Sequence, residues 1–75
     1  MKKFGDRLRA AREAAGLSQV AAAKAAGIPH ATWVEAETRS QVPRDPERLR
    51  RICDLLATDP AWLLGLTDVR RPWPP

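Results

Sequence analysis

Apolar residues recur along the start of the chain as Phe4, Leu8, Ala11 and Ala15, at steps of four, three and four. Those steps place them on one face of a helix, predicted over residues 3–15. Gly16 is placed to end that helix as a left-handed cap, and Leu17 returns the chain to the core. Ser18 is an N-cap for a second helix, Gln19–Ala26, dense in alanine and therefore strong in local propensity but thin in buried bulk. Gly27 closes it and permits a sharp turn. A third helix is expected from Pro29 to about Thr38, with Trp33 and Ala36 inward and Ile28 packed at the turn. His30, Ala31, Val34 and Glu35 fall on its other faces.

After a loop of Ser40-Gln41-Val42-Pro43-Arg44, the signals of Asp45, Pro46 and Glu47 mark a fourth helix. Leu49, Ile52, Cys53, Leu55 and Leu56 form its core face. Asp59 and Pro60 repeat the start signal for a short fifth helix carrying Trp62, Leu63 and Leu64, ended by Gly65. The pattern holds no strand and no internal repeat. The expected fold is all-α: one compact five-helix domain over residues 1–66, followed by an extended Pro/Arg-rich tail, 67–75. Its expected core joins Leu8, Leu17, Ala22, Ile28, Trp33, Leu49, Ile52, Leu56 and Trp62.

Composition narrows the function. Seventy-five residues make one domain at most. Cys53 is the only cysteine, so no internal disulfide helps the core, which fits a reducing compartment. The opening Met1-Lys2-Lys3 leads into Phe4-Gly5-Asp6-Arg7 without an apolar stretch, and no later run is long enough to span a bilayer. A soluble, cytoplasmic protein without a membrane partner is expected. The net charge of +4 and a pI of about 10.2 clear the value of roughly 9 that marks nucleic-acid binders. Charge alone does not separate a nucleic-acid surface from a solvated one, and Arg48, Arg50 and Arg51 read as a solvated face. His30 is the only histidine, so it has no partner for a metal or a catalytic triad. Cys53 reads as a small core residue. Without a glycine-rich phosphate loop or paired carboxylates, the sequence speaks against an enzyme, and no cofactor or metal is expected.

The informative stretch is Leu17 to Glu37: a helix, a tight turn at Gly27, and a second helix with a polar or small first turn. This is the layout of a helix-turn-helix, whose second helix enters the major groove. Ala22, Ala23 and Ala26 let the two helices approach closely, and Trp33 fills the volume they leave. Together with Phe4-Gly5-Asp6-Arg7-Leu8-Arg9-Ala10-Ala11-Arg12, Gly16-Leu17-Ser18-Gln19 and the closing Leu55-Leu56-Ala57-Thr58-Asp59-Pro60-Ala61-Trp62-Leu63-Leu64-Gly65, this stretch resembles the phage repressor/Cro (Xre-type) helix-turn-helix family. The resemblance implies five helices, operator DNA as partner and a homodimer. Many such regulators are encoded by phages or mobile elements. It also implies roles: Gln19 against the DNA backbone or an outer base pair, and His30, Ala31 and Glu35 at the bases. Thr32 and Val34 would flank them. Arg12 and Glu37 match a structural ion pair between the first and third helices, and Arg39 and Arg44 lie in a loop that meets phosphates. Lys24 is a further candidate for phosphate.

The recognition helix departs from its relatives by offering Ala31 and Val34 where long polar residues are usual. Those two suit thymine methyls, and Glu35 suits a cytosine amino group. The glycine common two residues after the glutamate is here Arg39. Leu63, Leu64 and Leu66, closely spaced and apolar, are candidates for the dimer interface. Trp73 reads as part of the extended tail or as an aromatic anchor on a partner subunit. Two other readings stay open. One is a helix-turn-helix fold used for protein contact through the third helix, as in a phage antirepressor or inhibitor. The other is the DNA-binding antitoxin of a toxin–antitoxin pair, with the tail as its toxin-binding segment.

Overall fold

Local chemistry writes most of the helix ends. Ser18 Oγ accepts from the Ala21 N–H at 3.1 Å, and Asp45 and Asp59 do the same for Glu47 and Ala61, each at 2.9 Å. These three caps, two of them followed by proline in the first turn, start three of the five helices. The computed structural model describes residues 3–75. Its elements are α1 (Phe4–Ala14), α2 (Gln19–Ala26), α3 (His30–Thr38), α4 (Pro46–Leu56) and α5 (Pro60–Leu63), with no strand among the described residues. Pro29 sits one position before α3, as its cap, and contributes no side-chain hydrogen bond.

Four of the helices close alike, with one left-handed residue and a bond from the next N–H back over the last turn. The acceptors are the carbonyls of Arg12, Ala23, Cys53 and Ala61, reached from Leu17, Ile28, Thr58 and Leu66 at 2.8–3.2 Å. Gly16, Gly27 and Gly65 take the left-handed position in three of them, but after α4 the residue is Ala57, at φ +48°. Helix α3 ends differently, in Arg39 and a left-handed Ser40 at φ +52°. Ser40 Oγ accepts from the Gly5 N–H at 3.1 Å, which ties the start of α1 to the end of α3. The approach there is close enough that a Cβ on Gly5 would run into the Glu37 carbonyl. Glycine is required at that position for space.

α3 packs on α1 and α2, α4 on α2, and α5 touches both α1 and α4. Trp33 stands at the centre, 1% exposed, among Leu8 and Ala11 of α1, the buried alanines of α2, and Ile52 and Leu56 of α4. A large side chain among small ones fills the space without voids. Leu17 and Leu49, expected in the core, are half-buried at its margin. Ala15, expected on the apolar face of α1, lies past the end of that helix and is exposed.

Helix α5 corrects the sequence reading in two places. Leu63, expected at a dimer surface, is fully buried in this chain's own core, while Trp62, expected in the core, is half-buried. Residues 61–64 are all apolar, so no polar position marks which of them faces inward. Trp62 instead lies between two guanidinium groups, those of Arg7 and Arg70, each 4.9 Å from its ring centre. Arg7 is itself buried, and its Nη1 donates to the carbonyls of Trp62 and Thr67 at 2.6 and 2.7 Å. Its Nη2 meets Asp68 at 2.8 Å. Trp73 also lies on its own chain: its Nε1 donates to Asp54 at 2.9 Å, and its ring lines a groove with Leu49, Cys53 and Pro60. The last ten residues thus fold back over α1 and α4. Burial, with Asp54 and Asp59 adding to it, pushes the Cys53 thiol up to about 11, which suits a packing residue rather than a nucleophile.

Ala57 carries the one Cβ among the four left-handed closures, where it is strained against its own backbone. Ala57→Gly relieves that strain and is expected to stabilise the fold by about 0.5–1 kcal/mol despite the added entropy of the unfolded chain. A urea midpoint that falls instead of rising would contradict this.

Candidate nucleic-acid interface

Helix α3 has two faces with opposite tasks. Trp33, Ala36 and Glu37 point inward and are buried. Ala31, Glu35 and Thr38 are exposed on the other side, with Thr32 and Val34 half-buried beside them and His30 exposed in the first turn. The outer face is small, and its only charge is Glu35. Arg39 and Arg44 follow it in the loop after α3, and Lys24 lies on α2, all three exposed. Thr32 and Glu35 share a groove of about 360 Å³ with Val42, Arg44 and Arg48, so the outer helix face and the loop form one continuous surface.

What orients this surface is a single carboxylate behind it. The Glu37 side chain is fully buried and accepts from all three of the first helices. Arg12 Nε reaches Oε2 at 2.6 Å and Arg12 Nη2 reaches Oε1 at 3.2 Å, the two-pronged geometry that arginine offers a carboxylate. Trp33 Nε1 donates to Oε2 at 2.6 Å, Gln19 Nε2 to Oε1 at 3.1 Å, and Arg9 Nε to Oε1 at 3.3 Å. Arg12 also closes the turn into α2, through Nη1 on the Leu17 carbonyl at 2.8 Å. Burial pushes the Glu37 carboxyl up, but the bonds from Arg12, Trp33 and Gln19 outweigh it and hold the group below its ordinary value. The same pairing raises Arg12.

The structure therefore divides the sequence candidates. His30, Ala31, Thr32, Val34 and Glu35 are exposed or half-buried on α3, and Thr32 and Glu35 share a groove with the loop residue Arg44. Gln19 is half-buried at the first position of α2, with its amide nitrogen committed to Glu37. Leu63, Leu64 and Leu66 do not form a common patch, since Leu63 is inside, Leu64 is half-buried and Leu66 is 77% exposed. Three residues of this region were not among the site candidates read from the sequence. Thr38 lies one turn beyond Val34 on the outer face, and its hydroxyl donates back to the Val34 carbonyl at 2.8 Å. Val20 is exposed in the first turn of α2. Arg9 was legible in principle, because it lies three residues before Arg12 and so on the same face of α1.

Removing one partner of this buried cluster leaves the others uncompensated. Glu37→Ala is expected to cost about 3–5 kcal/mol, and a double-mutant cycle with Arg12→Ala should show strong coupling. The carboxyl is depressed in the folded state, so its contribution is fully present above the ordinary value of 4.5. It is lost as pH falls through the lower folded value. Unfolding followed by tryptophan fluorescence should therefore show stability falling below about pH 4.5, with a flatter profile in Glu37→Gln. Additive substitutions would contradict the pairing.

Comparison with curated proteins and with solved structures found no match. The family model described as a helix-turn-helix domain matches residues 3–71, which spans all five helices and the first part of the tail. That match and the α2–turn–α3 geometry agree, and the chain belongs to the helix-turn-helix domain family.

Proposed function

We propose that this protein is a sequence-specific DNA-binding transcriptional regulator of the phage repressor/Cro kind, acting as a repressor on operator DNA as a homodimer. The observation that carries the reading is the outer face of α3, exposed beside a basic loop and held in orientation from behind by Glu37. In such a complex α3 lies in the major groove, with His30, Ala31, Thr32, Val34 and Glu35 at the base edges. Gln19 lies at the groove edge, and Lys24, Arg39 and Arg44 meet phosphates, which fix position without reading sequence. Ala31 and Val34 suit thymine methyls, and Glu35 accepts from a cytosine amino group. A second reading draws on the 58% exposed Val20 of α2 and on the apolar Ala31 and Val34 of α3: side chains of this kind also suit a protein partner, as in an antirepressor.

The size of the domain supports the homodimer reading. The longest extent of the domain is 28 Å, short of the roughly 34 Å between half-sites one helical turn apart. One chain carries one recognition helix, so a second copy is needed to read two grooves. Leu66 and Val69, 77% and 60% exposed, are the apolar residues proposed for that contact. Sedimentation is expected to show a concentration-dependent dimer, and Leu66→Glu is expected to shift it toward monomer. A wild-type monomer at high micromolar concentration, with and without DNA, would contradict the dimer.

Loop and helix should separate in binding measurements. Arg39→Ala or Arg44→Ala is expected to weaken binding to every sequence and to flatten the salt slope by roughly one unit. Changes at His30 or Glu35 should alter the preferred base by about 1–3 kcal/mol at one or two pairs. Glu35→Gln is the sharper test, since it relaxes one pair if Glu35 accepts from cytosine and tightens all sequences alike if Glu35 only repels the backbone. If no substitution affects any DNA complex, the protein-binding reading takes its place.

A further inference from the structure

Two guanidinium groups and one carboxylate meet behind α3, so the cluster of Arg9, Arg12 and Glu37 keeps one positive charge in excess. The two arginines hold that charge very differently. Arg12 is 12% exposed at its side chain and spends Nε, Nη1 and Nη2 on protein oxygens. Arg9 is 52% exposed and gives the protein only its Nε, in the longest contact of the cluster at 3.3 Å. Asp6 and Glu13 are near it along α1, yet Glu37 is its one ion-pair partner among the described residues. Among the described residues neither terminal nitrogen of Arg9 has a hydrogen-bond partner.

Their location gives them a use. Arg9 Nε and Gln19 Nε2 bond the same oxygen, Glu37 Oε1, so the free end of Arg9 stands beside the first residue of α2. In a helix-turn-helix complex the first helix of the pair crosses the sugar–phosphate backbone. A cation at its start therefore meets phosphate and not bases. We propose that Arg9 is a phosphate-binding residue of the interface, contributed by α1, and that Glu37 aims it. The proposal rests on the DNA-binding reading and adds to it a contact outside both the recognition helix and the loop. One carboxylate then sets two things at once: the orientation of α3 through Arg12 and Gln19, and the position of a backbone clamp through Arg9. The planar fork of arginine suits a phosphate with two parallel donors, which is what the free Nη groups provide.

The test uses the full chain and a fluorescent duplex from the DNA flanking its own gene, with a scrambled duplex as control, across a salt series. Arg9→Ala is expected to weaken binding to both duplexes several-fold and to lower the salt slope by roughly one unit. Its melting temperature should stay close to that of the wild type, because a half-exposed, long ion pair adds little stability. Arg9→Lys should recover most of the slope, since it restores the charge. An unchanged slope in Arg9→Ala, with the wild type binding normally, overturns this proposal and leaves the DNA-binding reading standing. A weaker affinity that tracks a lowered melting temperature, without a change in slope, also overturns it, because Arg9 would then only support Glu37. If the wild type binds neither duplex, the DNA-binding reading fails and this inference fails with it.

Discussion

A carboxylate with no exposed surface carries the organisation of this domain. Glu37 draws donors from α1, α2 and its own helix: Arg9, Arg12, Gln19 and Trp33. Burying that charge is costly, and the cost is met only because its oxygens are saturated with donors, two of them cationic. Geometry follows from this, because a fully satisfied buried charge tolerates few alternative arrangements. α3 cannot rotate without breaking the bonds that Arg12 and Gln19 make to Glu37, and α1 cannot slide without losing Arg12. Such a network contributes less to stability than to uniqueness, and for a surface that must match DNA in register, uniqueness is the property needed.

The apolar core works with that constraint. Alanines on α2 and α1 give little buried area each, so much of the packing falls on Trp33, which stands against them and also donates to Glu37. One side chain therefore links the hydrophobic and the polar halves of the interior. A second link also starts from α1, where the buried Arg7 gathers the carbonyls of Trp62 and Thr67 and the carboxylate of Asp68. With Arg70 on the other guanidinium contact of Trp62, this holds the chain after α5 against the body of the domain. A fold of this size, without a disulfide, gains from such tethers.

Function on this view divides between the outside and the inside of one helix. The outer face of α3 offers Ala31, Val34, Glu35 and Thr38, modest in hydrogen-bonding capacity. Affinity would therefore come mainly from phosphate contacts at the margin, by Lys24, Arg39, Arg44 and the proposed Arg9. Selectivity would come from methyl contacts and from Glu35. Under the proposed function such a balance would make binding strongly dependent on salt.

The sequence by itself determined the five helices, because the signals for their ends are local. Ser18, Asp45 and Asp59 cap through bonds two or three residues away, and Gly16, Gly27 and Gly65 supply the left-handed turns. It also determined the helix-turn-helix layout and the outer face of α3, since a helical period with Trp33 and Ala36 inward leaves Ala31 and Glu35 outward. Other features needed the tertiary structure. Four apolar residues in a row on α5 carry no period, so only docking against α1 and α4 made Leu63 the core residue and left Trp62 between two arginines. Arg7, Arg9 and Arg12 are identical in type and lie on one helix. Their separate roles were decided by residues 25 to 61 positions away, where no local pattern reaches. The tail composition suggested an extended segment, and its return to Asp54 depended on a donor and an acceptor brought together only after α4 and α5 had packed.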